Sequence, residues 1–464
     1  MNDCILLRYG EIGLKSPGAR IYLEKLYQKS IKEALRRNQI RAFKIKNLGG
    51  RFIIFSEDSI EDIISILKIV PGIQSLSPAI SFGFKDKKEL LKKIKSLAVK
   101  EVKDKTFAVR VKRVGEHDFT SQELEKEAGS VLYDASAGVD LTAPQTIIHL
   151  EIRNKEAYLY TKTKEGIGGL PATSSGLVLA LFSGGIDSPV AAFQMFKRGC
   201  AVDFIYINPI EEKSFNDVAK IYNYLISQYA YNYRPKFYLV DGRAIVKKIK
   251  EQVPDSLRQI ALKIAFYQIS EKISEVLVTG ESLSQKSSQT LASLKLISSQ
   301  SKALILRPLI GMDKLEITQL AQKIGTLASS EQVKELCNLA QGSVKTAPQE
   351  KDLLQIPVLT DLIEKAVKEV KIYSGFIETQ EEILPKLKNP LIVDIRPTKE
   401  KINGVKIKLP YPEIMAHLDE FKKDKEYLIV CDFGVQSENV AFALRRKGIK
   451  AQGISLKNYQ QIST

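Results

Sequence analysis

Residues 177–198 read LVLALFSGGIDSPVAAFQMFKR, and this stretch decides the fold of the central part of the chain. Its apolar run, 177–182, is typical of a buried strand. The turn Ser183–Ser188 follows with two adjacent glycines, and a helical pattern comes next, with Pro189 in its first turn and Gly199 after its end. Glycines let a backbone approach an anion closely, and a helix N-terminus offers unpaired N–H groups. The stretch therefore predicts a phosphate-binding turn between a strand and a helix.

The residues of the turn limit the kind of phosphate site. A kinase-type P-loop needs a lysine on the phosphates, whereas this turn carries Asp187. A carboxylate beside a triphosphate is best explained by Mg²⁺ held there. The pattern SGGxDS resembles the pyrophosphate loop of enzymes that split ATP between its α and β phosphates and adenylate a substrate. Amidotransferases, ligases and RNA-thiolating enzymes share this loop, so it indicates the activation step and leaves the substrate open.

The charge of the chain favours a polyanionic partner. Its 464 residues include 70 Lys and Arg against 54 Asp and Glu, for a net charge of +16. Such an excess is typical of proteins that bind nucleic acid. At about 150 residues per domain, the length predicts roughly three domains. No apolar run reaches the ~20 residues of a membrane-spanning helix, and the N-terminus lacks a signal-peptide pattern. We therefore expect a cytosolic protein with no membrane partner.

The cysteines do not form a metal site by their spacing. They lie far apart, without a CxxC pair, at Cys4, Cys200, Cys337 and Cys431. In a reducing cytosol, lone cysteines are either inert core residues or reactive ones. Cys4 and Cys200 adjoin strand-like runs and are expected in the core. The histidines, His117, His149 and His417, are unclustered and are expected to be structural.

Hydrophobic periodicity divides the chain into α/β segments. Residues 1–57 predict a small α/β module, and residues 58–165 predict a second, lysine-rich one. Gly166–Gly176 is a Gly- and Ser-rich linker. Within 175–345, helices alternate with extended runs at 177–182, 202–207, 237–240, 276–279 and 304–306. This alternation predicts a doubly wound parallel sheet with its ligand at the carboxyl ends of the strands. A helical connector then leads to a last α/β module at 385–464.

Four motifs together resemble the tRNA 4-thiouridine synthetases, the tRNA sulfurtransferase family. They are RYGEIGLK at 8–15, GIGGLP at 166–171, TGESL at 279–283 and SSQT at 287–290. The resemblance runs nearly end to end. It implies a ferredoxin-like domain at 1–57, a THUMP RNA-binding domain at 58–165, an ATP-pyrophosphatase domain at 175–345 and a rhodanese-like domain at 385–464. The sequence departs from the family at Ser284 and at Ala172–Thr173.

The resemblance also implies the residues of the sites. Those expected to bind ATP are Leu181, Phe182, Ser183, Gly184, Gly185, Asp187, Ser188, Tyr206, Lys263, Gly280 and Gln289, with Asp187 also holding Mg²⁺. Those expected to bind RNA are Lys15, Arg20, Arg110, Lys112 and Arg113. Lys314 is expected near the activated nucleotide. The alternative for Lys314 is a surface lysine at a helix N-terminus, a poor place for a cation without an anionic ligand.

Sulfur chemistry is expected in the last module. Leu391–Arg396 resembles an early rhodanese strand, and Cys431–Ser437 resembles the rhodanese active-site loop. A cysteine between a strand and a helix faces backbone N–H donors, which we expect to lower its pKa and to stabilise a persulfide. The alternative is a buried cysteine at a strand end. Many rhodaneses have arginine where Gln436 stands, so turnover of free thiosulfate is not expected. By resemblance, Cys337 forms a disulfide with Cys431 during sulfur release; the alternative is an incidental cysteine.

The reaction implied is ATP-dependent thiolation of a tRNA uridine, at position eight. The uridine C4 oxygen attacks the α phosphate, and a Cys431 persulfide, loaded by a cysteine desulfurase, supplies the sulfur. A reductant reopens the disulfide. A second role left open is sulfur donation for the thiamine thiazole through the thiamine sulfur-carrier protein. The rivals are an adenylating RNA ligase or amidotransferase, and an RNA-binding sulfur carrier without ATP turnover.

Overall fold

The computed structural model describes residues 2–209, 213–333, 344–378, 387–398, 400, 402–411 and 413–463. The chain forms two compact units, residues 1–169 and 170–464. In the ranges described, no helix has the length and apolar character needed to cross a membrane.

The first unit is built on one mixed sheet. Its strands are β1 (Asn2–Arg8), β2 (Phe43–Asn47), β3 (Phe52–Ser56), β4 (Ser75–Gly83), β5 (Thr106–Val114), β6 (Gly138–Val139), β7 (Thr146–Arg153), β8 (Glu156–Tyr160) and β9 (Lys164–Glu165). Its helices are α1 (Pro17–Arg37), α2 (Ile60–Leu67), α3 (Lys87–Val102) and α4 (Ser121–Tyr133). The strand order is β2-β3-β1-β4-β8-β7-β5-β6, and β9 also pairs with β4.

The first six elements have the βαββαβ order of a ferredoxin-like module, as expected. β1 lies between β3 and β4 and is antiparallel to both. All seven residues of β1, from Asn2 to Arg8, pair with β4. α2 and β4 therefore belong with the first module, and the structure extends it beyond the expected end at residue 57. β4 was not predicted because it contains Pro78, a residue atypical of strand interiors.

The second half of this sheet forms the expected second α/β module. α3 and α4 bury Leu90, Ile94 and Leu124 against the odd-numbered residues of β5, including Val109 and Val111. α4, which was not predicted, begins with a capping box. The Glu123 amide donates to Thr120 Oγ1 at 3.2 Å, and the Glu123 carboxylate accepts from the Thr120 amide at 2.7 Å.

The second unit contains a six-stranded sheet and a four-stranded one. The strands of the larger sheet are β10 (Leu177–Leu181), β11 (Ala201–Asn208), β12 (Lys236–Asp241), β13 (Val276–Val278), β14 (Leu304–Leu306) and β15 (Lys371–Ser374). Its helices are α5 (Asp187–Lys197), α6 (Lys213–Tyr229), α7 (Arg243–Gln252), α8 (Arg258–Glu271), α9 (Leu291–Ser298), α10 (Lys314–Lys323), α11 (Leu327–Gln332) and α12 (Thr360–Lys368).

The larger sheet confirms the doubly wound prediction. Its order is β14-β13-β10-β11-β12-β15, and the first five strands are parallel. The order reverses at β10, and such a switch point is where open α/β sheets bind ligands. The segment predicted as a purely helical connector instead contains β15, which pairs antiparallel with β12. The sheet therefore continues to Ser374, past the expected domain end at residue 345.

The last module is a parallel α/β layer, as expected. Its elements are β16 (Leu391–Asp394), β17 (Val405–Lys408), β18 (Glu426–Cys431), α13 (Val435–Arg446), β19 (Lys450–Ser455) and α14 (Leu456–Ser463). The sheet order is β17-β16-β18-β19, with every pair parallel. Val393, Ile429 and Leu444 lie in its core.

The Gly166–Gly176 segment contains the boundary between the two units, and each half is fixed to its own unit. The Gly166 amide donates to the Gln74 carbonyl at 3.0 Å, and the Leu170 amide donates to the Lys197 carbonyl at 3.0 Å. A Cβ at Gly166 would lie 2.2 Å from the Ile73 carbonyl oxygen, so the close approach requires glycine.

Candidate active site

The predicted phosphate turn closes on itself between β10 and α5. The Ser183 amide donates to Ser188 Oγ at 3.1 Å, and the Gly185 amide donates to Ser183 Oγ at 3.3 Å. Gly184 has a φ of +75°, and a Cβ there would lie 2.9 Å from Val218 Cγ2. A side chain is therefore excluded on both conformational and steric grounds. The turn places the N-terminus of α5 at the switch point of the sheet, as an anion site requires.

The TGESL motif packs directly against this turn. A Cβ at Gly280 would lie 2.9 Å from the Asp187 carbonyl carbon and 3.0 Å from the Ser188 amide nitrogen. Only glycine allows the two backbones to approach this closely. The motif that follows β13 is thus part of the same site as the turn that follows β10.

Asp187 joins three segments of the site. Its Oδ1 accepts from Lys314 Nζ at 2.7 Å, and its Oδ2 accepts from Gln285 Nε2 at 2.9 Å. Lys314 is the first residue of α10, after the N-cap Asp313. Asp187 and Lys314, both expected at the nucleotide, therefore meet, and the anionic partner of this N-terminal lysine is Asp187 itself.

The donor set around Asp187 suits one kind of metal ion. Among the described residues, no group of three His, Cys, Asp or Glu side chains could hold a metal. Mg²⁺ in nucleotide sites commonly takes one or two carboxylates together with phosphate oxygens and water. Asp187 therefore fits Mg²⁺ that arrives with a nucleotide and does not form a metal site made by protein alone.

Lys263 belongs to a buried network centred on Glu281 of the TGESL motif. Lys263 Nζ donates to Glu281 Oε1 at 2.8 Å, while the Tyr267 hydroxyl and Arg307 Nε donate to Glu281 Oε2 at 2.6 and 2.8 Å. Thr279 Oγ1 lies 3.1 Å from the same oxygen. Burial alone would raise the pKa of this carboxyl, but Lys263, Tyr267 and Arg307 outweigh it and hold the pKa at about 2. Glu281 therefore stays ionised and fixes the Lys263 side chain.

Other residues expected at the nucleotide differ in what they offer. Gln289 is buried, and its Oε1, like that of Gln285, has no hydrogen-bond partner among the described residues. A buried acceptor without a partner is costly, so these atoms fit a site that a ligand completes. Phe182 differs because its ring packs on Phe204 in the core, with centroids 5.1 Å apart. Leu181 is half-buried at the end of β10, and Tyr206 is buried on neighbouring β11.

The residues expected to bind RNA all lie in the first unit. Lys15 and Lys112 are exposed. Arg20 donates from Nε to Glu24 at 3.0 Å and to the Tyr9 hydroxyl at 3.1 Å. Arg110 and Arg113 lie on β5 with Lys112. Arg110 donates to the Leu141 carbonyl at 2.8 Å, and Arg113 lies 3.1 Å from His117 Nδ1. The two lysines are thus open to a ligand, and the three arginines also have structural contacts.

Cys431 ends β18 and is followed by a glycine loop and α13, as the sequence predicts. The Ser437 amide donates to Cys431 Sγ at 3.2 Å, and the thiol lies 3.3 Å from Ser437 Oγ. The expected low pKa is wrong for this arrangement. Burial raises the pKa of the thiol to about 11, and the hydrogen bonds from Ser437 and the Phe433 amide only partly oppose it. The side chain is 2% exposed. Cys337 lies outside the described residues.

Sequence reasoning missed the central role of Glu281 and the contact of Gln285 with Asp187. Glu281 was quoted in the TGESL motif without a role of its own. A carboxylate in a glycine-containing motif after a strand was the only signal. Gln285 had no signal beyond its position between the TGESL and SSQT motifs.

Family models match most of the chain in three consecutive parts. They are the ThiI ferredoxin-like domain over residues 4–77, the THUMP domain over 84–162 and the thiamine biosynthesis protein ThiI over 173–357. The first of these ends within β4, in agreement with the βαββαβ order of the sheet.

Full-length relatives and a solved structure agree with these matches. The tRNA sulfurtransferase of Desulfurococcus amylolyticus is 34% identical over 96% of this chain and 95% of its own. That of Thermoplasma volcanium is 34% identical over 96% and 94%. The crystal structure of a 4-thiouridine synthetase in complex with RNA and bound ATP superposes with a TM-score of 0.68 at 29% identity, over 81% of this chain and 100% of that one. With its phosphate turn, its Asp187–Lys314 pair and these matches, the chain belongs to the tRNA sulfurtransferase family.

Proposed function

We propose that this protein is an ATP-dependent tRNA sulfurtransferase that replaces the C4 oxygen of the uridine at position eight of tRNA with sulfur. The observation that carries the proposal is the closed glycine turn at the switch point, joined to Lys314 through Asp187. A 4-thiouridine synthetase of similar fold has been solved with RNA and ATP, which supports ATP and tRNA as the substrates.

The turn and its neighbours bind and orient the ATP. The Ser183 and Gly185 amides bond within the turn, so the other backbone amides of the turn and the N-terminus of α5 hold the phosphates. The Oε1 of Gln289, which has no partner among the described residues, accepts from a donor on the nucleoside. Mg²⁺, when bound at Asp187, supplies positive charge that offsets the charge of the phosphates. Lys314, placed beside Asp187, stabilises the charge that develops at the α phosphate as pyrophosphate leaves.

Uridine activation comes first and sulfur delivery second. The uridine C4 oxygen bonds to the α phosphorus and pyrophosphate departs, which turns a poor leaving group into AMP. The terminal sulfur of a Cys431 persulfide then bonds to C4, and AMP departs with the former C4 oxygen. Attack by the Cys337 thiol on Cys431 Sγ breaks the S–S bond, leaves the sulfur on the uridine and forms a Cys337–Cys431 disulfide. The last module acts here as a rhodanese-like sulfur carrier.

The first unit supplies the tRNA-binding surface, with Lys15 and Lys112 facing solvent. A cysteine desulfurase loads Cys431, and a thiol reductant reopens the disulfide, both in the cytosol. Sulfur donation to the thiamine sulfur-carrier protein is a second use of the same persulfide.

Two rivals make different products. An adenylating ligase or amidotransferase needs no cysteine at Cys431 and leaves no sulfur in the RNA, and the matches to tRNA sulfurtransferases do not favour it. An RNA-binding sulfur carrier without ATP turnover has no need of a completed phosphate turn or of acceptors buried beside it.

The test is mass spectrometry of nucleosides from tRNA incubated with the protein, ATP, Mg²⁺, cysteine and a cysteine desulfurase. The proposal predicts 4-thiouridine only when ATP and the desulfurase are both present. An aminated nucleoside would favour the amidotransferase, and thiolation without ATP would favour the carrier.

A further inference from the structure

The Cys431 loop is covered by the ATP-binding domain of the same unit. Gln436 Nε2 in the loop donates to the Tyr224 hydroxyl of α6 at 3.1 Å. The Tyr224 hydroxyl in turn donates to the Ile324 carbonyl, just after α10, at 2.6 Å. Tyr224 and Gln436 are 2% and 8% exposed. A single tyrosine hydroxyl therefore bonds to both domains at the place where the cysteine loop is covered.

We call the interface between the Cys431 loop and the ATP-binding domain the dock. Further hydrogen bonds between specific residues hold it together. The Tyr411 hydroxyl in the last module donates to the Gln322 carbonyl at 2.7 Å and accepts from Asn439 Nδ2 at 3.0 Å. Gly325 has a φ of +82°, and a Cβ there would lie 3.1 Å from the Tyr224 hydroxyl oxygen and from the Tyr411 ring. Interfaces between domains that separate are more polar than permanent ones. The hydrogen bonds of the dock give it this polar character, and a stack of Phe433 on Phe376, with ring centroids 5.4 Å apart, adds an apolar contact.

The dock lies away from the ATP site. α10 connects the two places, since Lys314 at its start contacts Asp187 and Ile324 after its end accepts from Tyr224. At 1.5 Å per residue, these ends are about 15 Å apart. Burial, with Tyr229, Tyr411 and the Cys431 thiol nearby, raises the pKa of the Tyr224 hydroxyl far above neutrality, so it remains a donor.

We propose that Tyr224 is a positioning residue that holds the Cys431 loop in an inactive, docked state. In this state the cysteine can neither be loaded with sulfur nor deliver it. The inference rests on the proposed role of Cys431 as the sulfur carrier. Loading requires the Cys431 thiolate to attack the terminal sulfur of the donor's persulfide and to expel the donor's thiolate. A thiol that is 2% exposed cannot be reached by a partner protein, so the last module undocks before each loading step.

The dock is tested by alkylation of the native protein with iodoacetamide, followed by peptide mass mapping. In Tyr224→Phe the Ile324 carbonyl and the Gln436 amide have no partner in the docked state, whereas water can bond to both after undocking. The substitution therefore lowers the free energy of undocking. We expect Cys431 to react roughly three- to tenfold faster. Gln436→Leu should act in the same direction from the other side. Tyr233→Phe is the matched control, because it removes a tyrosine hydroxyl that bonds to Val202 in the same domain.

Buried Cys4 and Cys200 serve as internal standards. Faster alkylation of Cys431 alone supports the proposal. Equal rates in parent and Tyr224→Phe, a parallel rise at Cys200, or parent Cys431 reacting as fast as in urea would each overturn it. The assay contains no ATP or tRNA, so failure of the proposed function would instead appear as absent 4-thiouridine in the nucleoside assay.

Discussion

The phosphate turn and the Cys431 loop are built alike and are exposed differently. Each follows a parallel strand, β10 or β18, and leads into a helix, α5 or α13. Each contains a glycine with positive φ, +75° at Gly184 and +79° at Gly434. The turn leaves Ser183 exposed and brings a cation to Asp187, whereas the cysteine loop is covered by another domain.

This difference shows that the same strand–loop–helix geometry provides backbone hydrogen-bond donors in both places. Burial by the surrounding residues determines whether a ligand can reach them. At the turn, the N-terminus of α5 offers N–H groups that have no partner within the helix, as at any helix N-terminus. At Cys431, similar donors point at the sulfur, but burial outweighs them and the pKa of the thiol rises to about 11. The phosphate turn is thus exposed at Ser183, whereas the thiol of Cys431 is buried.

The largest expected effect abolishes the reaction step assigned to the Cys431 loop and leaves the step assigned to the phosphate turn intact. Cys431→Ser should abolish 4-thiouridine formation and retain tRNA-dependent pyrophosphate release, because serine cannot carry a transferable sulfur and the ATP site lies in another domain. Pyrophosphate release and nucleoside mass are measured in the same reaction. Cys200→Ala, at another buried cysteine, is the control and should retain both activities. Thiolation by Cys431→Ser would refute the carrier role.

Asp187→Ala should impair the activation of ATP at the phosphate turn. We expect pyrophosphate release to fall about 100-fold or more, because the carboxylate fixes Lys314 and is the proposed ligand of Mg²⁺, with tRNA affinity nearly unchanged. Asp241→Ala is the matched control, since Asp241 also ends a parallel strand and pairs with an exposed Arg243. Comparable turnover by Asp187→Ala and the parent would exclude a role for this carboxylate in activation.

Binding of tRNA should depend on neither loop. A fragment of residues 1–169 should bind tRNA, and its affinity should fall tenfold or more between 50 and 200 mM salt, because its lysines and arginines displace counterions from the phosphates. Filter binding at several salt concentrations measures the slope. Lys112→Ala should reduce the slope slightly, while affinity that does not change with salt would remove the first unit as the RNA-binding surface.

The Glu281 network should make the ATP domain sensitive to acid. The pKa of Glu281 is depressed to about 2, so its stabilisation is present above the ordinary glutamate pKa near 4.3 and is lost as the pH falls through about 2. This amounts to about 3 kcal/mol at neutral pH. Glu281→Gln should lower stability at pH 7 and weaken its dependence on pH between about 5 and 2, measured by urea unfolding. Glu251→Gln is the control, because Glu251 forms an exposed ion pair with Lys247. It should change neither the stability at pH 7 nor its dependence on pH.

The smallest effect concerns the Ser437 hydroxyl, which accepts from the Cys431 thiol at 3.3 Å and can donate to the sulfur once the thiol is ionised. Ser437→Ala removes a hydroxyl that lowers the pKa of Cys431, so the pKa should rise further and alkylation should slow about two- to threefold at pH 8. The Ser437 amide remains as a donor. Faster alkylation of Ser437→Ala would mean that the hydroxyl shields the thiol and does not stabilise its anion.

The sequence predicted elements with continuous apolar runs and missed those without them. β14 was placed to the residue at 304–306, because Leu304–Leu306 is an unbroken apolar run even though it lies at the sheet edge with Leu304 exposed. β15 was missed because Lys371–Ser374 is a largely exposed edge strand. Asp187 and Lys314 were predicted from motifs, but their contact was not. The contact that covers the Cys431 loop could not be predicted, because Tyr224 lies about 200 residues earlier in the chain and meets Gln436 only in the folded protein.

The central claim, that the turn activates the uridine oxygen for replacement by sulfur, is tested most directly with tRNA carrying ¹⁸O at C4 of the target uridine. After complete turnover with ATP and the sulfur donor, the AMP and the nucleosides are analysed by mass spectrometry. The account predicts one ¹⁸O in each AMP formed and one sulfur in place of that oxygen in the nucleoside. Unlabelled AMP alongside 4-thiouridine would contradict it, because the oxygen would then have left without bonding to the α phosphorus.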